Sequence, residues 1–153
     1  MSGRDFTGKI GIVVAGSVVG ILDITSAFVI AAIRGTGSMR MLQGITSGLI
    51  GARSFQGGLA TAACGLAIHF LIAFTVVMIF YLASRRINFL TEHAVVSGIL
   101  YGIAVYLFMY WIVIRLVFPS AHPSLIRDVT AVLVHISLIG LPTALIVRRY
   151  SKP

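Results

Sequence analysis

Three ionisable side chains interrupt otherwise apolar stretches of this chain: Asp23, His69 and His135. A carboxylate beside an imidazole is suited to passing a proton, because histidine changes charge near neutral pH and a neighbouring acid tunes that change. Tyr106 and Tyr110 lie in a third apolar stretch and bring hydroxyls that can serve as hydrogen-bond partners. These five residues form the candidate buried polar layer, or proton relay. The two histidines admit a second chemistry. His69 and His135 on parallel helices would suit the axial positions of a haem, and with Asp23 they would make a two-histidine, one-carboxylate metal set. No cofactor is demanded by the spacing, and haem is the one the histidine pair would suit. Hydrolytic chemistry has no support, since no Gly-x-Ser-x-Gly, His-Glu-x-x-His or phosphate-binding glycine loop with lysine occurs. The chain does not read as an enzyme.

The elements that position these groups must be membrane helices. The chain has 153 residues, 58% hydrophobic and 10% charged, against roughly 25% charged for a soluble domain. A core of this size cannot hide that much apolar surface. Lipid is therefore the solvent, and each spanning segment must satisfy its own backbone. The apolar runs are continuous rather than alternating, which selects helices over a barrel. The expected fold is all-α, an integral membrane four-helix bundle forming one domain over 1–153, with spans at about 10–33, 59–83, 94–118 and 129–147. The first run is too long, and too acidic at its centre, for a cleaved signal peptide. The segment 34–58 carries Met41, Leu42, Ile45, Leu49 and Ile50 at helical spacing. It is expected as a short helix, interfacial or re-entrant, between the first two spans.

The net charge of +8 comes from bases at the ends of the runs, where they meet anionic lipid heads. No basic face with interleaved aromatics accompanies it, so nucleic acid is not an expected partner. Seven bases lie on the side of the N-terminus (Arg4, Lys9, Arg85, Arg86, Arg148, Arg149, Lys152) and five on the other (Arg34, Arg40, Arg53, Arg115, Arg127). The bias places both termini in the cytoplasm. Arg115 is expected to snorkel outward, Pro142 to kink the fourth span, and the lone Cys64 to act as a small packing residue.

Small residues mark where helices touch in lipid. Gly16, Gly20, Asp23 and Ala27 share one face of the first span; Ala62, Gly65, His69 and Ala73 one face of the second; Gly98, Gly102, Tyr106 and Met109 or Tyr110 one face of the third. In the fourth span, Asp128, Ala131, His135 and Pro142 fall on one side. The polar groups therefore lie on packing stripes. Asp23 precedes the outer end of its run at Ile33 by as many residues as His69 follows the outer end at Leu59, roughly 15 Å in each case. Tyr106, Tyr110 and His135 fall in the same band, so all five should share a layer in the outer half of the membrane. A faint repeat accompanies this. Gly-x-x-x-Gly-Ile occurs at Gly16–Ile21 and at Gly98–Ile103, and the neighbourhoods of His69 and His135 are alike, as a duplicated hairpin would give.

The stretches Leu42-Gln-Gly-Ile-Thr-Ser-Gly-Leu-Ile-Gly51, Gly57-Gly-Leu-Ala-Thr-Ala-Ala, Gly65-Leu-Ala-Ile-His69-Phe and Tyr81-Leu-Ala-Ser-Arg-Arg86 resemble a group of small four-span bacterial inner-membrane proteins of no assigned activity. The resemblance covers the first loop and second span best. It implies a bacterial inner-membrane location and supplies no catalytic residues. Three functions follow from these observations. The first is proton- or ion-linked transport through the Asp/His layer, in a homo-oligomer packed on Gly16-x-x-x-Gly20 or Gly98-x-x-x-Gly102. The second is an accessory or assembly subunit of a larger membrane complex. The third is haem or metal electron transfer.

Overall fold

A computed structural model describes residues 3–118 and 125–151, with the side chains of 3–7 and 125–127 left aside. Every regular element among the described residues is helical. The first span is α1 (Gly3–Ile33). It ends in a Schellman turn, with Gly35 at φ 70 and the amides of Gly35 and Thr36 bonded to the carbonyls of Ala32 and Ala31 at 3.0 and 2.8 Å. After it come α2 (Ser38–Ile50), a 3-10 turn over Gly51–Gln56, and the second span, α3 (Gly58–Ser84). A short turn, α4 (Phe89–Glu92), leads to α5 (Ala94–Leu107). The third span continues from α5 through a π-helical stretch, Phe108–Val113, into α6 (Ile114–Val117). The fourth is α7 (Leu125–Val134), a second π stretch over His135–Gly140, and α8 (Leu141–Ser151).

Four helices are long and apolar enough to cross a membrane: Gly8–Ile33, Gly58–Ser84, Ala94–Val117 and Asp128–Ser151. Only 17–33% of their most apolar windows is buried within the chain. Val13, Leu71, Leu100 and Leu133, each more than half exposed, point outward from the four spans. Such a surface is at home in lipid, and the protein is a multi-pass membrane protein. The helices overrun the expected spans, because backbone hydrogen bonding continues past the apolar edge. The fourth extends through Arg148 and Arg149 to Ser151. The connection between the third and fourth spans, 119–124, lies outside the described residues.

α1 packs against both α3 and the fourth span, and the third span packs on the fourth. Tyr101 closes the ring by donating to the Val76 carbonyl of α3 at 2.6 Å. No hydrophobic force drives helices together in lipid, so close packing must do it. A Cβ on Gly102 would stand 2.6 Å from the Ile136 Cα, and one on Gly98 2.9 Å from the Leu141 Cα. Gly140 answers from the fourth span against Gly98 and Gly102. Gly16 and Gly20 take the rings of Phe74 and Phe70, and Gly65 takes the Leu42 carbonyl and Thr46 of α2. Both Gly-x-x-x-Gly motifs, expected as oligomer contacts, are thus filled inside the bundle.

Three local features add to or depart from expectation. A π turn over His135–Gly140 stands just before Pro142, the residue expected to kink this span, and such turns are themselves a cause of kinks. The proline ring has no N–H and crowds the Leu138 carbonyl, and a π turn just before it relieves that conflict. Cys64 lies on an exposed face of α3, so it does not pack within the chain. In α2 the polar residues face in and the apolar ones out: Gln43 and Thr46 are buried, while Met39, Leu49 and Ile50 are exposed. Gln43 donates to the Gly58 carbonyl at 2.9 Å, Thr46 to the Thr61 carbonyl at 2.7 Å, and Thr61 to the Ser54 carbonyl at 2.6 Å. Gly48 at the far end of α2 meets Val117 of α6. α2 therefore lies across one end of the bundle, from α3 to the third span.

Candidate polar site

The site begins with a glycine. Gly20 lets α3 approach α1 so closely that Phe70 covers the place of its Cβ. The carbonyl of Gly20 then lies 3.0 Å from His69 Nε2. A carbonyl only accepts, so Nε2 carries the proton of that bond. His69 Nδ1, on the other side of the ring, faces Asp23 Oδ2 at 3.9 Å. A neutral imidazole bonded this way presents a lone pair to the carboxylate. At 3.9 Å the two groups stand within ion-pair reach but beyond hydrogen-bond distance. The side chain of His69 is 12% exposed and that of Asp23 27%, so the carboxylate is the more accessible half of the pair.

His135 enters from the first residue of the second π stretch. Its Nδ1 donates to the Ala131 carbonyl at 2.8 Å, which leaves Nε2 as its free nitrogen. Tyr106 and Tyr110 stand edge-on to the imidazole, each with its ring centre 5.9 Å away, and 5.0 Å from one another. Tyr110 belongs to the π stretch of the third span. Such stretches recur at functional sites, where the extra residue re-aims side chains. The two hairpins are alike in outline. The second glycine of each Gly-x-x-x-Gly lies against the histidine-bearing helix of its own hairpin, Gly20 at the His69 ring and Gly102 at the His135 backbone.

Two cavities meet at this layer. The smaller, about 150 Å³, is bounded by Asp23, His69 and His135 with Ile45 of α2 and Met109. The larger, about 410 Å³, again has Asp23, His135 and Met109 in its wall, together with Tyr110, and runs along α1 past Ser26, Ile30 and Ala31 to Arg34 and Thr36. Away from α2, the layer rests on packed apolar residues: Ile12, Ala15, Val19, Ala73, Val77, Val105 and Ile139. Both cavities carry α2 in their walls, through Met41 in the larger and Ile45 in the smaller.

Of the five sequence candidates, Asp23, His69, His135 and Tyr110 line these cavities, and Tyr106 packs against the rings of His135 and Tyr110 without lining either. Arg34, Ser26, Thr36, Met41, Ile45 and Met109 join them and were not singled out as candidates from sequence. Ser26, Ile30 and Arg34 continue the helical face of Asp23, which is the signal that marks them. The cavity that His69 and His135 share is about 150 Å³, the size that takes benzene or xenon. Among the described residues no three His, Cys, Asp or Glu side chains are grouped as metal ligands.

Fold and site together define an α-helical multi-pass membrane protein with a half-buried group of one aspartate and two histidines. No family model, no curated protein and no solved structure matches the chain.

Proposed function

We propose that this membrane protein carries out proton-linked or ion-linked transport through the Asp23–His69–His135 layer. The observation that carries the proposal is the Asp23–His69 pair at 3.9 Å, with Asp23 in the wall of both adjoining cavities and His69 in that of the smaller. A carboxylate there takes a proton from the cavity, and His69 and His135 hold it within the layer. Release to the far side needs a second arrangement, in which the packing around Val19, Ala73, Val105 and Ile139 parts. The irregular turns in the third and fourth spans supply backbone that can shift without breaking a regular helix. Four helices enclose only half a path, so a homo-oligomer or a larger membrane complex is the working unit.

The setting that fits is a bacterial inner membrane with both termini cytoplasmic and the α2 end outside. Tyr81 and Tyr150 meet Gly8 and Gly11 at the end of the bundle opposite Arg34. That end also gathers Lys9, Arg85, Arg86, Arg148 and Arg149 from three spans, as cytoplasmic ends do. The test is proton uptake into proteoliposomes loaded with a pH-sensitive dye. Uptake faster than in protein-free vesicles supports the proposal, and equal rates contradict it.

A further inference from the structure

The larger cavity carries opposite charges at its two ends. Asp23 lies at its foot beside His135 and Tyr110, and Arg34 at its mouth beside Thr36. Both charges belong to one face of α1, about 16 Å of helix apart, a gap that the long arginine side chain shortens as it lines the cavity. Arg34 makes no ion pair among the described residues, and Asp23 pairs only with His69. The wall between them is mostly apolar, with Ala27, Ile30, Met41, Met109, Ile114 and Val134, and is broken by the hydroxyls of Ser26 and Thr130. Its volume of about 410 Å³ falls in the roughly 300–1,000 Å³ range of small-molecule sites, which combine apolar walls with a few placed polar groups.

A bare cation would pass the guanidinium before reaching the acid, and a bare anion held at Arg34 would have nothing to match at the foot. A molecule with both charges, separated by an apolar spacer, satisfies both ends and the wall together. We infer that this cavity binds a small zwitterion of the ω-amino carboxylate kind, with its ammonium at Asp23 and its carboxylate at Arg34. The inference rests on the transport proposal only in naming that cargo; the binding site stands or falls by itself.

The test uses ε-aminocaproate as probe, with hexylamine and hexanoate as one-ended controls, and the purified full chain in detergent. Titration calorimetry should show the zwitterion binding roughly tenfold or more tighter than either control. Arg34→Gln, at an exposed position that leaves the bundle core untouched, should reduce the zwitterion to the affinity of hexylamine. Asp23→Asn should reduce it to that of hexanoate. Equal binding of all three probes, or a zwitterion affinity unchanged in Arg34→Gln, overturns the inference. If the probe fails to bind while proton flux sensitive to Asp23 persists, the cargo is wrong and the transport proposal stands. If the probe binds through both charges but no proton flux exists, the site stands and the transport proposal falls.

Discussion

Asp23 Oδ2 and His69 Nδ1 face each other at 3.9 Å across the contact of α1 and α3, while the opposite nitrogen of the ring is held at 3.0 Å by the Gly20 carbonyl. One backbone oxygen thus decides which nitrogen of the ring faces the acid. Replacing Gly20 would cost the carbonyl contact as well as the close approach of the helices, so the glycine belongs to the site as much as the acid does.

Packing at the second hairpin gives a prediction with an internal control. A methyl on Gly102 meets backbone of the fourth span at 2.6 Å, whereas one on Gly44 in α2 meets nothing within 4 Å. Gly102→Ala should destabilise the bundle by about 1–3 kcal/mol through overpacking. Gly44→Ala should be neutral, or stabilising by up to about 1 kcal/mol, through helix propensity. Reversible unfolding in mixed micelles measures both, and equal effects would contradict the packing described.

The seat of α2 makes a second prediction. Thr46 is 1% exposed and donates to Thr61 O at 2.7 Å. Thr46→Val should weaken that seat by about 1 kcal/mol and open the cavities beneath it. With Cys64 replaced by serine and Met41 by cysteine, a membrane-impermeant thiol reagent should label position 41 severalfold faster in the Thr46→Val background. Unchanged labelling would mean that α2 is not held by this bond.

The narrow space between the histidines yields a third. Protein purified in mild detergent should show no Soret absorption, and His69→Ala should leave its visible spectrum unchanged. A haem band lost in His69→Ala would show that the bundle opens to admit a macrocycle and would move the layer to electron transfer.

The positions of these groups are legible in the sequence to differing degrees. The spans follow from uninterrupted apolar runs, and the layer follows from the equal depth of Asp23 and His69 on antiparallel helices that each carry small residues on the same face. The cavity at their side was hidden, because it depends on how α2 lies. Met41 and Ile45 look like any apolar helical stripe, and only their contacts show that they wall the site while Leu49 and Ile50 face outward. Arg34 read as one of several bases at a helix end, since nothing in its spacing says that its side chain lines a pocket shared with Asp23. The π stretch at His135 had a partial signal in Pro142, and the one at Tyr110 had none. The glycine motifs were legible as contacts, but a sequence does not distinguish a partner helix in the same chain from one in another copy.

Proton flux in dye-loaded proteoliposomes, compared between the wild type, Asp23→Asn and Asp23→Glu, tests the central claim most directly. Asparagine keeps the size and hydrogen-bonding capacity of the acid but cannot hold an exchangeable charge, and glutamate keeps the charge. The predicted result is flux in the wild type, a loss of tenfold or more in Asp23→Asn, equivalent to about 1.4 kcal/mol or more, and partial recovery in Asp23→Glu, all at unchanged helicity. Wild-type flux retained in Asp23→Asn would show that the carboxylate only orients helices, and would contradict the account.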